Sequence, residues 1–151
     1  MRKILIVGHP SSRYEGVERL LNDCGMGVAK PSRREGMTPS EVGTTLLQAH
    51  GVAPSQLVDE QNRIRRVEVG PLWNGLALDL MLSNLDQPLW GWSDPYSVSL
   101  LNYWSALDSK ITFMLVYDDP GTALTRGNGA NGKMSWELLG ERVRDWCAYN
   151  A

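Results

Sequence analysis

The chain has 151 residues, of which 42% are hydrophobic and 21% charged, with a net charge of −2 and a pI near 5.7. This size and balance predict one domain with a well-formed core, and the slight negative charge argues against a nucleic-acid partner, which needs a basic surface. No stretch approaches the ~18 apolar residues of a membrane span, and the first apolar run is too short for the core of a signal peptide. We therefore expect a cytoplasmic protein without membrane or nucleic-acid partners.

The chain opens with a predicted strand, loop and helix. Residues 3–7 form a nearly continuous apolar run that stops at Gly8, as in a buried strand of a parallel sheet. Residues 8–13 are rich in Gly, Pro and Ser, which is typical of a loop, and apolar residues recur at helical spacing across residues 17–21. This arrangement directs the N-terminus of a helix at an anion. The alternative is a first βα unit whose loop binds nothing.

The middle of the chain is predicted to be mainly helical. Thr38, Pro39 and Glu41 combine an N-cap, a first-turn proline and a capping-box glutamate, so a helix begins there and is expected to reach residue 50. The polar residues 28–37 before it predict a surface loop, with a short strand at its start as the alternative. Further helices are predicted shortly after Pro54 and over residues 72–84, 96–107 and 135–148.

Two later segments are candidate strands. Residues 90–95 are rich in turn residues and predict a loop or a short strand, whereas residues 111–117 form the second strong apolar run. The two strong runs, 3–7 and 111–117, predict buried strands that lie parallel in one sheet. A solvent-exposed edge position for either strand, or an antiparallel pairing of the two, would overturn this arrangement and the fold inferred from it. Residues 127–132, GNGANG, are predicted to be disordered.

Aromatic and sulfur-containing residues indicate where the core lies. Four of the six tryptophans fall within residues 73–104, so this part of the chain is expected to supply much of the core, although Trp90 and Trp92 would also suit stacking on a base. Cys24 and Cys147 have neither metal nor redox spacing, and we expect both to be reduced and buried.

Three segments together resemble the sulfotransferase-like branch of the P-loop fold. The group's G-x-[HP]-R-S-G-T-S loop is similar to GHPSSRYE at residues 8–15, without a gap. Its W-G-W-K-D-P-R segment and following helix are similar to WGWSDPYSVSLLNYW at residues 90–104, and its strand ending in R-D-P or R-N-P is similar to FMLVYDDP at residues 113–120. The resemblance covers roughly residues 3–126 and implies a three-layer α/β domain with a small, mainly parallel sheet.

The resemblance also implies an activity and a ligand. Members of the group transfer a sulfuryl group from 3′-phosphoadenosine 5′-phosphosulfate to an acceptor, and their first loop holds the 5′-phosphosulfate. Neither a catalytic residue nor a metal ligand carries over to this chain, and the acceptor stays unnamed. The positions that correspond to nucleotide-binding residues are Ser11, Ser12, Arg13, Tyr14, Thr125 and Arg126.

Several matched positions depart from the group's pattern. The basic position of the loop is Ser11, its glycine position is Arg13, and the strand-end arginine is replaced by Asp118. Ser93 and Tyr96 stand where the group has a lysine and an arginine. Each lost cation removes a charge-assisted contact worth ~1.5–3 kcal/mol. These departures favour an alternative function, a non-catalytic binding or assembly module that kept the P-loop fold.

Other chemistry-bearing residues have two interpretations each. His9 is a candidate general base because histidine titrates near neutral pH, or else a hydrogen-bonded loop residue. Asp118 and Asp119 suit a metal ion, yet a strand-terminating Asp-Asp-Pro-Gly turn explains them without one. Residues 63–66 carry three arginines, which form either a small basic patch or, as we expect, a solvated face.

The expected sheet is small, which has a consequence for assembly. Two strong strands and one weak one leave unpaired edges, and proteins cover such edges or pair them with another chain. The chain also ends after one helix beyond the third matched segment, where members of the group usually continue. This predicts uncovered apolar surface near Trp136 and Trp146, and hence a homodimer that buries it.

Overall fold

The computed structural model describes residues 1–121 and 136–151. The segment predicted to be disordered, residues 127–132, lies outside the described residues, as do Thr125 and Arg126. None of the helices in the described part of the chain has the length and apolar character needed to cross a bilayer.

The core of the fold is a small sheet of four strands, counted over the described residues. Its order is β2-β3-β1-β4 and every pairing is parallel. The first and last strands run side by side from Lys3 opposite Ile111 to Gly8 opposite Val116, which confirms the predicted parallel pairing of the two strong apolar runs. The strands are β1 (Arg2–Gly8), β2 (Gly27–Val28), β3 (Leu89–Ser93) and β4 (Ile111–Val116).

Five α-helices pack around this sheet in the described part of the chain. Those predicted near residues 72 and 96 each begin as a 3₁₀ turn, Pro71–Trp73 and Pro95–Leu100, with proline at the start, where its missing N–H is tolerated. A third 3₁₀ turn, Pro54–Gln56, stands where a short helix was expected. The helices are α1 (Tyr14–Asp23), α2 (Pro39–Ala49), α3 (Asn74–Ser83), α4 (Leu101–Leu107) and α5 (Trp136–Asn150).

The capping box predicted for α2 is present. The Thr38 hydroxyl accepts a hydrogen bond from the Glu41 backbone N–H, and the Glu41 carboxylate accepts one from the Thr38 N–H at 2.7 Å. These reciprocal bonds satisfy two donors at the start of the helix. The position of α2 matters for the site, because its first turns form one wall of the main cleft.

Tryptophans supply the centre of the core, as expected. Trp90 and Trp104 are fully buried and Trp92 is 2% exposed, whereas Trp73 is only partly buried. The rings of Trp90 and Trp92 stack with centroids 5.4 Å apart, and Trp104 meets Trp92 edge-on at 5.5 Å. Burial of Trp90 and Trp92 removes them as exposed stacking platforms for a base.

The segment predicted as a loop or short strand, residues 90–95, contains the interior strand β3. Gly91, which lies between Trp90 and Trp92, allows this strand to occupy an interior position in the sheet. A Cβ at this position would lie 2.5 Å from the Ile4 carbonyl oxygen of β1 and 2.7 Å from the Met26 sulfur. Only glycine therefore lets β3 approach β1 closely enough to pair.

Residues 111–116 form a strand as predicted, but the prediction that this strand is buried is wrong. Within the described residues β4 lies at an edge of the sheet, and Leu115 and Tyr117 are 51% and 72% exposed. An apolar run predicts a strand, but it does not show whether other elements cover the edge and the faces of that strand. This edge position counts against the P-loop-type expectation as stated from the sequence, and a three-layer P-loop-type fold stays a prediction.

The burial predicted for the two cysteines also fails. The helix near one of them, α1, is lightly packed, since none of its residues is fully buried and Leu20 is 61% exposed. Cys24 and Cys147 are free thiols, but both are exposed rather than buried. Cys24 lies at the C-terminal cap of α1, the same lightly packed helix.

Candidate functional site

The order of the strands creates a crevice at their carboxyl ends. From β1 the chain passes through α1 to β2, beyond β3, whereas from β3 it passes through α4 to β4, beyond β1. Right-handed crossovers that run in opposite directions place their helices on opposite faces of the sheet. The ends of the adjacent strands β1 and β3 are therefore a topological switch point, where open α/β sheets bind ligands.

The loop that leaves β1 is held in shape by its own hydrogen bonds. The Ser12 N–H donates to the His9 carbonyl oxygen at 2.7 Å, and His9 Nδ1 lies 2.6 Å from Ser11 Oγ. Gly8 begins the turn at close quarters, because a Cβ there would overlap the Val116 carbonyl oxygen and lie 2.6 Å from Ser12 Oγ. The loop therefore depends on glycine at this position.

Several donors at the start of α1 are left open. Arg13 is the N-cap residue, and no side chain caps the helix. Within the described residues, the backbone N–H groups of Arg13, Tyr14 and Glu15 have no acceptor, and the buried Ser12 hydroxyl has no hydrogen-bond partner. Unsatisfied N–H groups together with the positive end of a helix dipole favour a bound anion.

The charges beside this helix start are mixed. Arg13 is largely exposed, and its Nε lies 4.0 Å from the Asp118 carboxylate at the end of β4. Glu15 in the first turn of α1 pairs with Arg19 at 3.7 Å. Arg13 is therefore available to an anion at the start of α1, but the carboxylates of Asp118 and Glu15 lie near the same site.

The structure brings together four of the six residues matched to nucleotide-binding positions. Ser11, Ser12, Arg13 and Tyr14 follow one another between β1 and α1. Arg13 occupies the position of the family's glycine, but its φ of −88° needs no glycine and its side chain extends into solvent. The Arg13 side chain therefore does not block the approach of an anion to the backbone N–H groups of the loop.

A cleft of about 840 Å³ opens beside the loop, between α1, α2 and the end of β3. Its lining combines hydroxyls, carboxylates and an amide with a few apolar side chains. Tyr14 and Glu18 lie one turn apart on α1, and the Glu18 carboxylate accepts a hydrogen bond from the Ser93 hydroxyl. The lining residues are Pro10, Tyr14, Glu15, Glu18, Arg19, Asn22, Met37, Ser40, Glu41, Thr44, Thr45, Ser93, Asp94, Pro95 and Tyr96.

A buried polar network supports the floor of this cleft. Asp94 is fully buried, and its carboxylate accepts hydrogen bonds from the Tyr96 N–H at 3.1 Å and the Ser97 hydroxyl at 2.6 Å. Trp104 Nε1 donates to the same hydroxyl at 3.3 Å. Burial raises the pKa of Asp94 to about 6, and the hydrogen bonds from Ser97 and Tyr96 oppose that rise. Because the carboxylate caps the turn that follows β3, we assign it a structural role.

The approach of α2 to this network requires Gly43. A Cβ at Gly43 would lie 2.7 Å from the Asp94 carboxylate. On the same helix, Ser40 and Thr44 are one turn apart and line the cleft, while Val42 and Leu46 are buried in the core. The sequence analysis missed this wall, although the polar residues at helical spacing opposite the apolar stripe of α2 were a usable signal.

His9 does not line the cleft. It borders a separate small cavity of about 70 Å³ with Asp145 and Tyr149 of α5, and its ring meets the Tyr149 ring edge-on at 5.3 Å. Burial lowers the pKa of His9, and the charge of Asp145 partly offsets this. The structure therefore favours the interpretation of His9 as a packed, hydrogen-bonded loop residue over that of a general base.

Comparison of the chain with known protein families, with curated proteins and with solved structures found no match. The resemblance to the sulfotransferase-like group therefore rests on the three quoted segments. Asp118 and Asp119 belong to no metal-binding arrangement, since the described residues contain no group of three or more His, Cys, Asp or Glu side chains placed to hold an ion. The loop at residues 8–14 and the cleft beside it are thus two features of the described chain with the chemistry of a binding site.

Proposed function

We propose that the chain is a sulfotransferase-like nucleotide-binding protein. In this proposal the loop at residues 8–14 takes the anionic 5′ end of 3′-phosphoadenosine 5′-phosphosulfate, and the adjacent cleft takes the acceptor. One observation carries it: an uncapped helix start, with a buried unpartnered hydroxyl beside it, lies at the switch point of a parallel sheet.

The donors of the loop suit an oxyanion. The open N–H groups of Arg13, Tyr14 and Glu15 and the hydroxyl of Ser12 offer hydrogen bonds without moving the backbone. Bonds of this kind to a charged acceptor contribute ~1.5–3 kcal/mol each, which is enough for a few of them to hold a phosphate group. The exposed guanidinium of Arg13 adds the one cation of the loop.

The carboxylates near the loop limit how tightly it can bind. Asp118 already lies within ion-pair distance of Arg13, so an incoming anion has to compete with it. Glu15 adds negative charge in the first turn of α1. We therefore expect a nucleotide to bind here more weakly than it would in a loop with the family's full set of cations.

Sulfuryl transfer also needs a group that takes the proton of the acceptor hydroxyl. Glu18 is the carboxylate best placed for this in the described cleft, because it faces the cavity from the same side of α1 as Tyr14. Glu15 is paired with Arg19, Glu41 holds the capping box, and Asp94 is fully buried. Glu18 itself accepts a hydrogen bond from the Ser93 hydroxyl, which an acceptor hydroxyl would have to replace. We accordingly propose Glu18 as the general base.

Ligand binding can be tested by thermal unfolding with 3′-phosphoadenosine 5′-phosphate. A ligand that binds only the folded state raises the melting temperature, and the rise grows with the logarithm of ligand concentration above the Kd. We expect a dose-dependent rise for the wild-type chain and none for Arg13→Ala, which removes the only cation of the loop. Arg33→Ala removes an exposed arginine from another loop and is the matched control. No rise at millimolar nucleotide would contradict the proposal.

Specific observations also favour the alternative function, an assembly module. The outer edge of β4 is unpaired within the described residues, and Leu115 and Tyr117 on this strand and its extension are exposed. Leu138 and Val143 of α5 are likewise 42% and 37% exposed. Exposed strand edges and apolar patches are typical of interfaces.

We expect the chain to form a homodimer through this surface. Light scattering at tens of micromolar protein should give twice the monomer mass, and Tyr117→Lys should shift the mass toward the monomer because it places a charge at the exposed edge. Lys110→Glu changes charge at the opposite end of β4 and serves as the control. A wild-type monomer at this concentration would rule the dimer out.

A further inference from the structure

A second groove, of about 800 Å³, lies on another part of the molecule. It is bounded by the segment of residues 59–66, by Val98 and Leu101 near the start of α4, and by the last turn of α5. None of its lining residues belongs to the loop at residues 8–14 or to the cleft beside it. A ligand of this groove would therefore be bound independently of the proposed nucleotide.

The groove carries an excess of positive charge. Arg63, Arg65 and Arg66 all line it, and among the described residues Asp59 is its only acidic side chain. Asp59 pairs with Arg63 at 3.5 Å, which leaves Arg65 and Arg66 with no carboxylate within 4.0 Å in the described part of the chain. Two guanidinium groups are thus open to an oxyanion, which arginine binds in a planar, bidentate geometry.

The segment that presents these arginines is tightly folded. The Asp59 carboxylate accepts hydrogen bonds from the N–H groups of Gln61 and Arg63, at 2.8 and 2.9 Å. Asn62 has a φ of +59°, the only positive value among the described non-glycine residues, and it completes the turn. The arginines therefore start from a fixed backbone, which lowers the entropy lost when a ligand binds.

Both ends of the segment are anchored in the core. Leu57 and Val67 are 3% and 7% exposed, the Arg65 N–H donates to the Leu57 carbonyl at 2.8 Å, and the Val67 N–H donates to Ser99 at 3.0 Å. Anchoring of this kind distinguishes the segment from a mobile surface loop. The groove is preformed.

The remaining lining is apolar. Ile64, Val98 and Leu101 are partly buried, and Tyr149 is 7% exposed. A fully ionic ligand would leave this surface in contact with water, whereas a ligand with a flat hydrocarbon part would cover it. The groove thus combines exposed arginines with partly buried apolar side chains.

We propose that this groove binds a phosphate monoester carried on a flat apolar body. The two negative charges of the phosphate match the guanidinium groups of Arg65 and Arg66, and the apolar body packs against Val98 and Leu101. A sulfate ester offers the same oxygens with one charge fewer and is expected to bind less tightly. In this proposal Arg65 and Arg66 form a ligand site, whereas the sequence predicted that residues 63–66 form a solvated face.

Isothermal titration of the full chain with 1-naphthyl phosphate tests the proposal. We expect saturable one-to-one binding, with 1-naphthyl sulfate at least threefold weaker and 1-naphthol at least tenfold weaker. The double variant Arg65→Gln, Arg66→Gln should weaken binding of the phosphate at least tenfold. Arg33→Gln, Arg34→Gln makes the same change of charge on a different surface loop and should bind like wild type.

Several outcomes would overturn the site. Equal affinity for 1-naphthol would show that the cationic side takes no part, and unchanged affinity in the Arg65, Arg66 variant would place the ligand elsewhere. Tighter binding of the sulfate than of the phosphate would reject a doubly charged phosphate monoester as the ligand. All four substituted side chains are exposed, so circular dichroism is expected to show folded variants, and Arg65→Lys should recover part of the affinity by restoring a charge.

Discussion

Replacing Trp104 with alanine is expected to lower the free energy of unfolding by about 3–5 kcal/mol. Trp104 is fully buried, its ring packs against Trp92 and Tyr103, and its Nε1 donates to the Ser97 hydroxyl. Alanine leaves a cavity between rigid aromatic neighbours, and it removes the donor from a buried hydrogen bond. Because domains are stable by only about 5–15 kcal/mol, this loss is a large part of the total.

Urea denaturation at constant pH measures the effect, with two companion variants. Trp104→Phe keeps an aromatic ring but loses the hydrogen bond to Ser97, and should cost about 1–2 kcal/mol. Leu72→Ala truncates a side chain that is 89% exposed and should change stability by no more than about 0.5 kcal/mol. A Trp104→Ala loss as small as that of Leu72→Ala would mean that this tryptophan is not central to the core.

Local signals in the sequence predicted the first third of the fold well. The apolar run of β1 and the capping box of α2 each specify their element through residues that are neighbours in the chain. The structure shows an equally local cause for the end of α1, because Gly25 has a φ of +101° that favours glycine. Such features need no knowledge of the rest of the molecule, and the structure contains all three.

Signals that depend on distant partners were less informative. β3 contains two tryptophans and a glycine, which predicted only a loop or a short strand; its interior position depends on the close approach of Ile4 in β1 to Gly91. β4 has the composition of an interior strand, yet it lies at an edge because no strand of the described chain pairs with its outer side. The buried Lys3, paired with Asp108 at 2.5 Å, also joins residues 105 positions apart and could not have been predicted locally.

The candidate site also has a part that the sequence predicted and a part that it did not. The loop at residues 8–14 is contiguous, so its residues and its place before a helix were evident from the sequence. The cleft is assembled from α1, α2 and the end of β3, and its walls only become a site when the sheet brings them together. His9 shows the reverse case: its residue type suggested catalysis, but α5 packs over it and leaves the cleft to other side chains.

The stability of the chain should depend on the ionisation of Asp94. Burial raises the pKa of this carboxyl from an ordinary value of 3.8 to about 6, so between these values the folded state holds a proton that the unfolded state has lost. Stability is therefore expected to fall as pH rises from about 4 to about 6 and to level off above that. A difference of about two pKa units corresponds to roughly 3 kcal/mol, at the upper limit.

Asp94→Asn should remove this dependence, because asparagine keeps an acceptor for the Tyr96 N–H but cannot ionise. We expect the free energy of unfolding of the variant, relative to wild type, to be higher at pH 7 than at pH 4 by up to about 3 kcal/mol. Urea denaturation of both proteins from pH 4 to pH 8 measures the difference, in which the contributions of the other carboxyl groups cancel.

Asp86→Asn gives a contrast of opposite sign. The hydrogen bond from Lys30 lowers the pKa of the exposed Asp86 carboxyl, so the contribution of this carboxyl to stability is lost as pH falls. If the wild-type and Asp94→Asn curves ran parallel through this range, the buried carboxyl would have to titrate at its ordinary pKa, and the network of Ser97 and Trp104 would not be shielding it from water.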